Sequence, residues 1–165
     1  MTAPDVERRI LEARARRLAQ RPIERKSTID DRDVVVFSHA RADYGLELSC
    51  LRQVFPLREL ALLPGAAPPL MGVTAWRGDL IRVLDLARIL ELPDTGPSDR
   101  GRVLVLDGGP GSFALLADSI VDVVRLPDSS LTARSDRRFL RGVTADAVAV
   151  LDGAALIRTF TGEVP

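Results

Sequence analysis

Few residues in this chain could do chemistry, and most of them fail on their surroundings. His39 is the only histidine and Cys50 the only cysteine among 165 residues. His39 directly follows an apolar run and has no suitable partner, so it reads as a turn residue and not as a general base. Cys50 lies in a mixed apolar–polar segment and reads as a small buried side chain. One histidine and one cysteine cannot supply the roughly four ligands of a structural zinc site. Asp85, Asp107 and Asp152 each follow a Val-Leu pair. That shared position at the end of a strand points to capping or turn formation, not acid–base work. Gly108, Gly109 and Gly111 lack the Lys-Ser/Thr of a phosphate loop and lead into a strand, which makes them a hairpin turn. No catalytic residue, metal or cofactor is expected.

Arg77 stands apart. It follows Trp76, the only tryptophan, and precedes Gly78 and Asp79. Trp and Arg are the residues most enriched at interface hot spots, so the pair reads as a contact feature, with a plain surface hairpin as the alternative. It lies in Gly72–Leu90, GVTAWRGDLIRVLDLARIL, which recurs in shortened form at Gly142–Ile157 as GVTADAVAVLDGAALI. The GVTA openings are 70 residues apart and the VLD endings 67 apart, so the second copy has lost three residues between its strands. A repeat with one elaborated copy implies two related β-units, one carrying the contact.

The elements that must position these residues are short strands. Alternation and β-branched runs predict them at Val34–Ser38, Tyr44–Leu48, Leu51–Leu57, Leu70–Trp76 and Leu80–Leu84. A second set follows at Arg102–Leu106, Ser112–Leu116, Ile120–Leu126, Phe139–Thr144 and Ala147–Leu151. Pro56 marks an edge or strand end, and the Pro/Gly stretch Leu62–Pro69 reads as loop. Asp85 caps a short helix running through Leu92, and Asp152 caps a terminal one over Gly153–Phe160. Ten strands in two sets of five, each closed by a capped helix, argue for barrels or a sandwich.

Ahead of them, residues 1–26 predict a basic helix with a Thr2–Asp5 capping pattern, ended by Pro22, and 27–33 a linker. Residues 1–26 hold eight basic and four acidic side chains, against 15 and 19 in the rest. The acidic body argues against nucleic acid as a partner, and the arginines of the helix are scattered round it. The helix reads as solvated, self-packed or a docking element. No apolar run approaches the roughly 20 residues of a membrane span, so no membrane insertion is expected. A charged N-terminus and a lone cysteine fit the cytoplasm.

Taken together, YGLELSCLRQV, LPGAAPP, GVTAWRGDLIRVLDLARIL, VLVLDGGPGSFALLADSIVDVVRL and GVTADAVAVLDGAALI resemble, in order and spacing, the CheW-like family of chemotaxis coupling proteins. The resemblance covers residues 34–160, leaving 161–165 as a tail. It implies a mainly β fold of two intertwined five-stranded SH3-like barrels with short connecting helices. It also implies a non-catalytic adaptor between a chemoreceptor cytoplasmic hairpin tip and the regulatory domain of a CheA-type histidine kinase. By motif, Leu51, Gln53, Val54, Trp76 and Arg77 would meet the receptor. Gly72, Gly78 and Arg82 would meet the kinase or support the backbone. Gln53 stands where the family has Glu, Ala75-Trp76 where it has Asn-Leu, and Arg82 where it has Pro. A charge at Arg82 implies altered packing or a new surface contact. A kinase-binding regulator in a non-motility pathway that ignores receptors, and a ligand-binding or hydrolytic barrel with a deep polar pocket, are the alternatives.

Overall fold

The computed structural model describes residues 31–93, 101–134 and 137–162. The basic helix, most of the linker and the last three residues lie outside the described residues. In chain order the strands begin with β1 (Asp31–His39) and β2 (Ala42–Glu47), a hairpin turning through Ala40–Arg41. A 3-10 turn at Leu48–Cys50 ends the alternation of β2 one residue early and leaves Leu48 exposed. Then come β3 (Leu51–Pro56), β4 (Ala61–Leu62), β5 (Leu70–Trp76), β6 (Asp79–Leu84) and helix α1 (Leu86–Ile89). The second half supplies β7 (Arg102–Leu106), β8 (Phe113–Ala117), β9 (Ser119–Pro127), β10 (Leu131–Arg134), β11 (Leu140–Thr144), β12 (Ala149–Leu151) and helix α2 (Gly153–Phe160).

These form two six-stranded sheets, β10-β11-β12-β2-β1-β9 and β3-β7-β8-β6-β5-β4. Read in opposite directions, the two orders match strand for strand, β10 with β4 through to β9 with β3, so the sequence repeat is a repeat of whole sheets. Each half nonetheless gives its first hairpin to the other half's sheet. Hairpin β1–β2 joins β9–β12, and hairpin β7–β8 joins β3–β6. Each hairpin is joined on one side by a parallel pairing, β12 with β2 and β6 with β8, and on the other by an antiparallel one, β9 with β1 and β3 with β7.

Both sheets must curl. β3 and β4 lie at opposite edges of one sheet yet are joined by only four residues, 57–60. A flat six-stranded sheet is about 24 Å wide at ~4.8 Å per strand. The five Cα steps from Pro56 to Ala61 reach no more than about 18 Å at ~3.6 Å each. The same argument brings β9 and β10 together across Asp128–Ser130. The expected strand count of five per unit misses β4 and β10, which close the edges. β4 has two exposed residues, too few for any alternation to show, and it takes Leu62 out of the expected loop.

The helices are set by their caps. Asp85 Oδ1 accepts from the amides of Ala87 (2.9 Å) and Arg88 (3.4 Å), and Asp152 Oδ1 from that of Ala155 (2.8 Å). α1 stops at Ile89, short of the expected Leu92, because Glu91 turns left-handed at φ 57° and the Leu92 amide closes on the Ala87 carbonyl.

The shared core lies between the sheets. It joins Phe37, Leu46 and Leu151 of one sheet to Leu84, Leu104, Leu106, Phe113 and Leu115 of the other, with Leu86 of α1 and Leu156 of α2. A second cluster, Ile81, Val83, Val103, Val105, Ala114 and Leu116, fills the inside of the β3–β8 sheet. Where the other sheet closes, the seam is ionic. Glu47 Oε1 accepts from Arg32 Nη1 (2.7 Å) and from Arg141 Nη1, and Arg141 Nη2 reaches Asp128 at 3.2 Å. The Glu47 side chain is 16% exposed, so its loss leaves two guanidinium groups sharing the one carboxylate of Asp128 in a half-dry seam. Glu47→Ala is expected to lower unfolding free energy by about 2–3 kcal/mol in urea denaturation, well beyond the ~1 kcal/mol of an exposed pair.

Candidate functional site

The three residues missing from the second repeat lengthen a hairpin, not its turn. β11–β12 pairs down to Val143–Ala149, beyond which the Thr144 amide donates to the Val148 carbonyl. β5–β6 goes beyond the equivalent Thr74–Ile81 rung by two more, Ala75–Leu80 and Trp76–Asp79. The extra rungs carry Trp76 and Leu80 past the filled interior of the sheet. Arg77 and Gly78 make a two-residue turn with φ of 53° and 87°, both left-handed. That mirror-image turn suits a hairpin, favours Gly at its second position, and costs an Arg about 1 kcal/mol at its first.

The turn delivers Arg77 to Gln53. Trp76 Nε1 donates to Gln53 Oε1 at 2.9 Å, and Arg77 Nε donates to the same oxygen at 3.2 Å. The Arg77 guanidinium lies 5.2 Å from the centre of the indole. A second guanidinium, that of Arg52, lies 5.5 Å from it and also approaches Asp107 at 3.6 Å. Arg52 is the extra residue of a β-bulge between the Leu51–Leu106 and Gln53–Val105 rungs. A bulge re-aims side chains, which is how consecutive residues 52 and 53 both serve one ring. Sequence reasoning missed Arg52, because a bulge leaves no mark on apolar periodicity. It also missed Leu80, 73% exposed beside Ala75 on the other face of the hairpin.

The structure thus brings Gln53, Trp76 and Arg77 together and places Leu51 and Val54 elsewhere. Leu51 packs against the shared core, and Val54 sits opposite Leu104 on the face turned to the other sheet, 37% exposed. Its repeat counterpart on β9, Val123, is 55% exposed, and the bulged Val121 is exposed beside it. Between the two edges opens a cavity of about 410 Å³ lined by Pro56, Leu57, Gly101, Arg102, Asp118, Ser119 and Ile120.

Gly72 lets β4 approach β5, since a Cβ there would lie 2.4 Å from the Ala61 carbonyl oxygen. Gly78 supplies the turn. Arg82 makes neither a free surface charge nor a buried orphan. Its Nη2 donates to the Phe160 carbonyl at the end of α2 (3.0 Å) and to that of Gly111 (3.4 Å). It therefore caps a helix C-terminus from across the molecule.

The remaining chemistry-capable residues are structural. Asp107 Oδ1 accepts from the Gly109 amide at 3.3 Å, inside the turn expected there. Burial, and then the neighbouring Glu47 carboxylate, push the Cys50 thiol up from its ordinary range, which keeps it protonated and unreactive. Both His39 ring nitrogens are buried without a hydrogen-bond partner, beside Tyr44 at 6.4 Å between ring centres. Among the described residues no group of three or more His, Cys, Asp or Glu could hold a metal ion, and no helix is long and apolar enough to cross a membrane.

A mainly β body of two exchanged sheets, with a braced Trp–Arg tip and open apolar edges, is the build of a protein-binding module. The comparisons give the family. Residues 33–160 match the CheW-like domain, and the chain belongs to that family, whose members are non-catalytic scaffolds of chemotaxis. A 121-residue stretch is 22% identical to a probable chemotaxis protein CheW of Rhizobium etli, covering 70% of this chain and 78% of that one. The fold is similar to the scaffolding protein TtCheW from Thermoanaerobacter tengcongensis, with a TM-score of 0.60 and 21% identity over 73% of this chain and 88% of that one.

Two substitutions separate the tip's geometry from its chemistry. Arg77→Asn keeps a residue that tolerates left-handed backbone and is expected to leave the urea midpoint within about 0.5 kcal/mol, whereas Arg77→Val is expected to cost about 1–2 kcal/mol. Arg82→Ala, by stripping the cap from α2, is expected to cost about 1–2 kcal/mol and to reduce far-ultraviolet helical signal.

Proposed function

We propose that this protein couples a chemoreceptor to a CheA-type histidine kinase, holding both so that receptor conformation biases kinase activity. The observation that carries this reading is the pairing of a rigid Trp76–Arg77 tip with apolar edge strands on open surface. Val54, Leu80, Val121 and Val123 are exposed where a monomer gains nothing from exposing them. A helical hairpin laid along β3 and β9 would cover Val54, Val121 and Val123, in the manner of a helix seated in a groove. The receptor hairpin tip is the partner assigned to Leu51, Gln53, Val54, Trp76 and Arg77. The kinase regulatory domain is the second partner, for which Gly72 and Gly78 shape the backbone and Arg82 holds α2 in place. No nucleic acid, cofactor or membrane insertion enters the reading. The protein works in the cytoplasm and reaches the membrane only through receptor arrays.

The alternative of a ligand-binding or hydrolytic barrel fits less well. The 410 Å³ cavity is open to solvent, and the capping carboxylates Asp85 and Asp152 are spent on helix amides.

Reconstitution of kinase, receptor cytoplasmic fragment and this protein tests the proposal. Ligand-sensitive kinase activity is expected only when the protein is present, and Trp76→Ala is expected to weaken receptor co-assembly by about tenfold or more. Kinase binding without receptor binding would assign the protein instead to regulation of the kinase alone. Absence of both would end the adaptor reading.

A further inference from the structure

The direction in which Gln53 points decides what the tip can bind. An indole N–H and an arginine Nε–H can only donate, so the atom both reach must be the amide oxygen. With Oε1 engaged by Trp76 at 2.9 Å and Arg77 at 3.2 Å, the amide NH2 of Gln53 faces away from the indole. Arg77 is held at Nε by Gln53, with its guanidinium carbon 5.2 Å from the centre of the indole, and its two terminal nitrogens make no ion pair among the described residues. Arg52 adds a second guanidinium over the same ring, with Asp107 as its acidic neighbour at 3.6 Å. Asp79, across the rung from Trp76, pairs with neither arginine. Every polar group that this cluster has left to offer is therefore a donor, and two cations face one partial counter-ion.

We propose that Arg52, Gln53, Trp76 and Arg77 form a carboxylate-reading site. The terminal nitrogens of Arg77 take an Asp or Glu side chain of a protein partner in the two-pronged geometry that guanidinium favours, with the Gln53 amide donating beside it. The Gln53 hydrogen bond and the nearby indole restrain the guanidinium, so less side-chain freedom is lost on binding. The partner is a protein surface and not a polyphosphate. Leu80, 73% exposed on the opposite face of the same hairpin, offers an apolar contact to a partner that wraps the tip, which a phosphate cannot use. The acidic body of the chain opposes a polyanion more than a single carboxylate. The inference rests on the adaptor reading only in expecting a protein partner.

Trp76 is the only tryptophan, so its emission reports on this site alone. The full chain would be titrated at low ionic strength with a helical peptide bearing two exposed glutamates beside a leucine, with the same peptide carrying glutamines, and with inorganic pyrophosphate. A saturable change with the glutamate peptide, at least about tenfold weaker with the glutamine peptide and weakened by salt, is expected. Gln53→Glu supplies an internal carboxylate in nearly the same shape. It is expected to weaken that binding about tenfold while leaving the urea midpoint unchanged or raised, a combination that a merely structural role for Gln53 does not produce. Equal binding of both peptides, no response to either, a pyrophosphate response as strong as the peptide's, or indifference to Gln53→Glu would each overturn the proposal. Receptor coupling that survives in a chain indifferent to carboxylates would remove this inference and leave the adaptor reading standing.

Discussion

Each exchanged hairpin is held on one side by a long antiparallel pairing, β1 with β9 or β7 with β3, and on the other only by a short parallel junction. The fold therefore depends on two such junctions, β6 with β8 and β12 with β2. Each joins the hairpin of one repeat to the last strands of the other, and each is only two rungs long, Val83–Ala114 with Leu84–Leu115 and Ala149–Tyr44 with Val150–Gly45. Parallel pairs are stable chiefly when both faces are covered. That condition explains why all five residues of β8 are buried, with Phe113, Leu115 and Ala117 in the shared core and Ala114 and Leu116 inside their own sheet. Neither repeat can complete a sheet alone, so the exchange makes the two halves one cooperative unit. Loss of packing on either face of β8 is felt by both sheets.

The two sheets share one topology but differ in their interiors. The β3–β8 sheet closes over Phe55, Leu57, Leu60, Met71 and Trp76. At the position of Met71 the other sheet has Arg141, part of the cluster with Glu47, Arg32 and Asp128. An ionic seam is satisfied by geometry and gains little from further contacts. An apolar seam that ends in a half-buried indole leaves one edge of the ring and a polar tip available. The sheet with the dry seam is therefore the one that could extend its hairpin beyond the core.

Much of this was legible in the sequence because it is local. The Val-Leu-Asp caps, the Gly78 turn, helix Gly153–Phe160 and the ten expected strands all follow from residue type and period. The closing strands β4 and β10 were not, since β4 is two residues long and β10 sits within the polar stretch 127–138. The hairpin exchange is invisible for a different reason. It is a choice of partner, and the same strands with the same alternation would suit either sheet. Arg82 shows the limit at the site itself. A charge in a strand signals a surface contact only if no carbonyl waits for it, and the free carbonyls belong to a helix end 78 residues away in sequence.

The tip raises the question of how a hairpin that outruns its core stays ordered. Of the two rungs beyond Thr74–Ile81 only Trp76 reaches back to the buried cluster, and Arg77 adds left-handed strain at their end. Besides that packing, what holds them is the single oxygen of Gln53, reached from β5 by Trp76 and from the turn by Arg77 across the seam where β3 comes round. One acceptor thus does two jobs: it pins the extended hairpin to the far edge of its sheet, and it fixes the guanidinium that the hairpin presents. A carboxylate in its place would pin the hairpin at least as firmly but would neutralise what is presented. An amide is the side chain that closes the seam and leaves the charge of Arg77 in place.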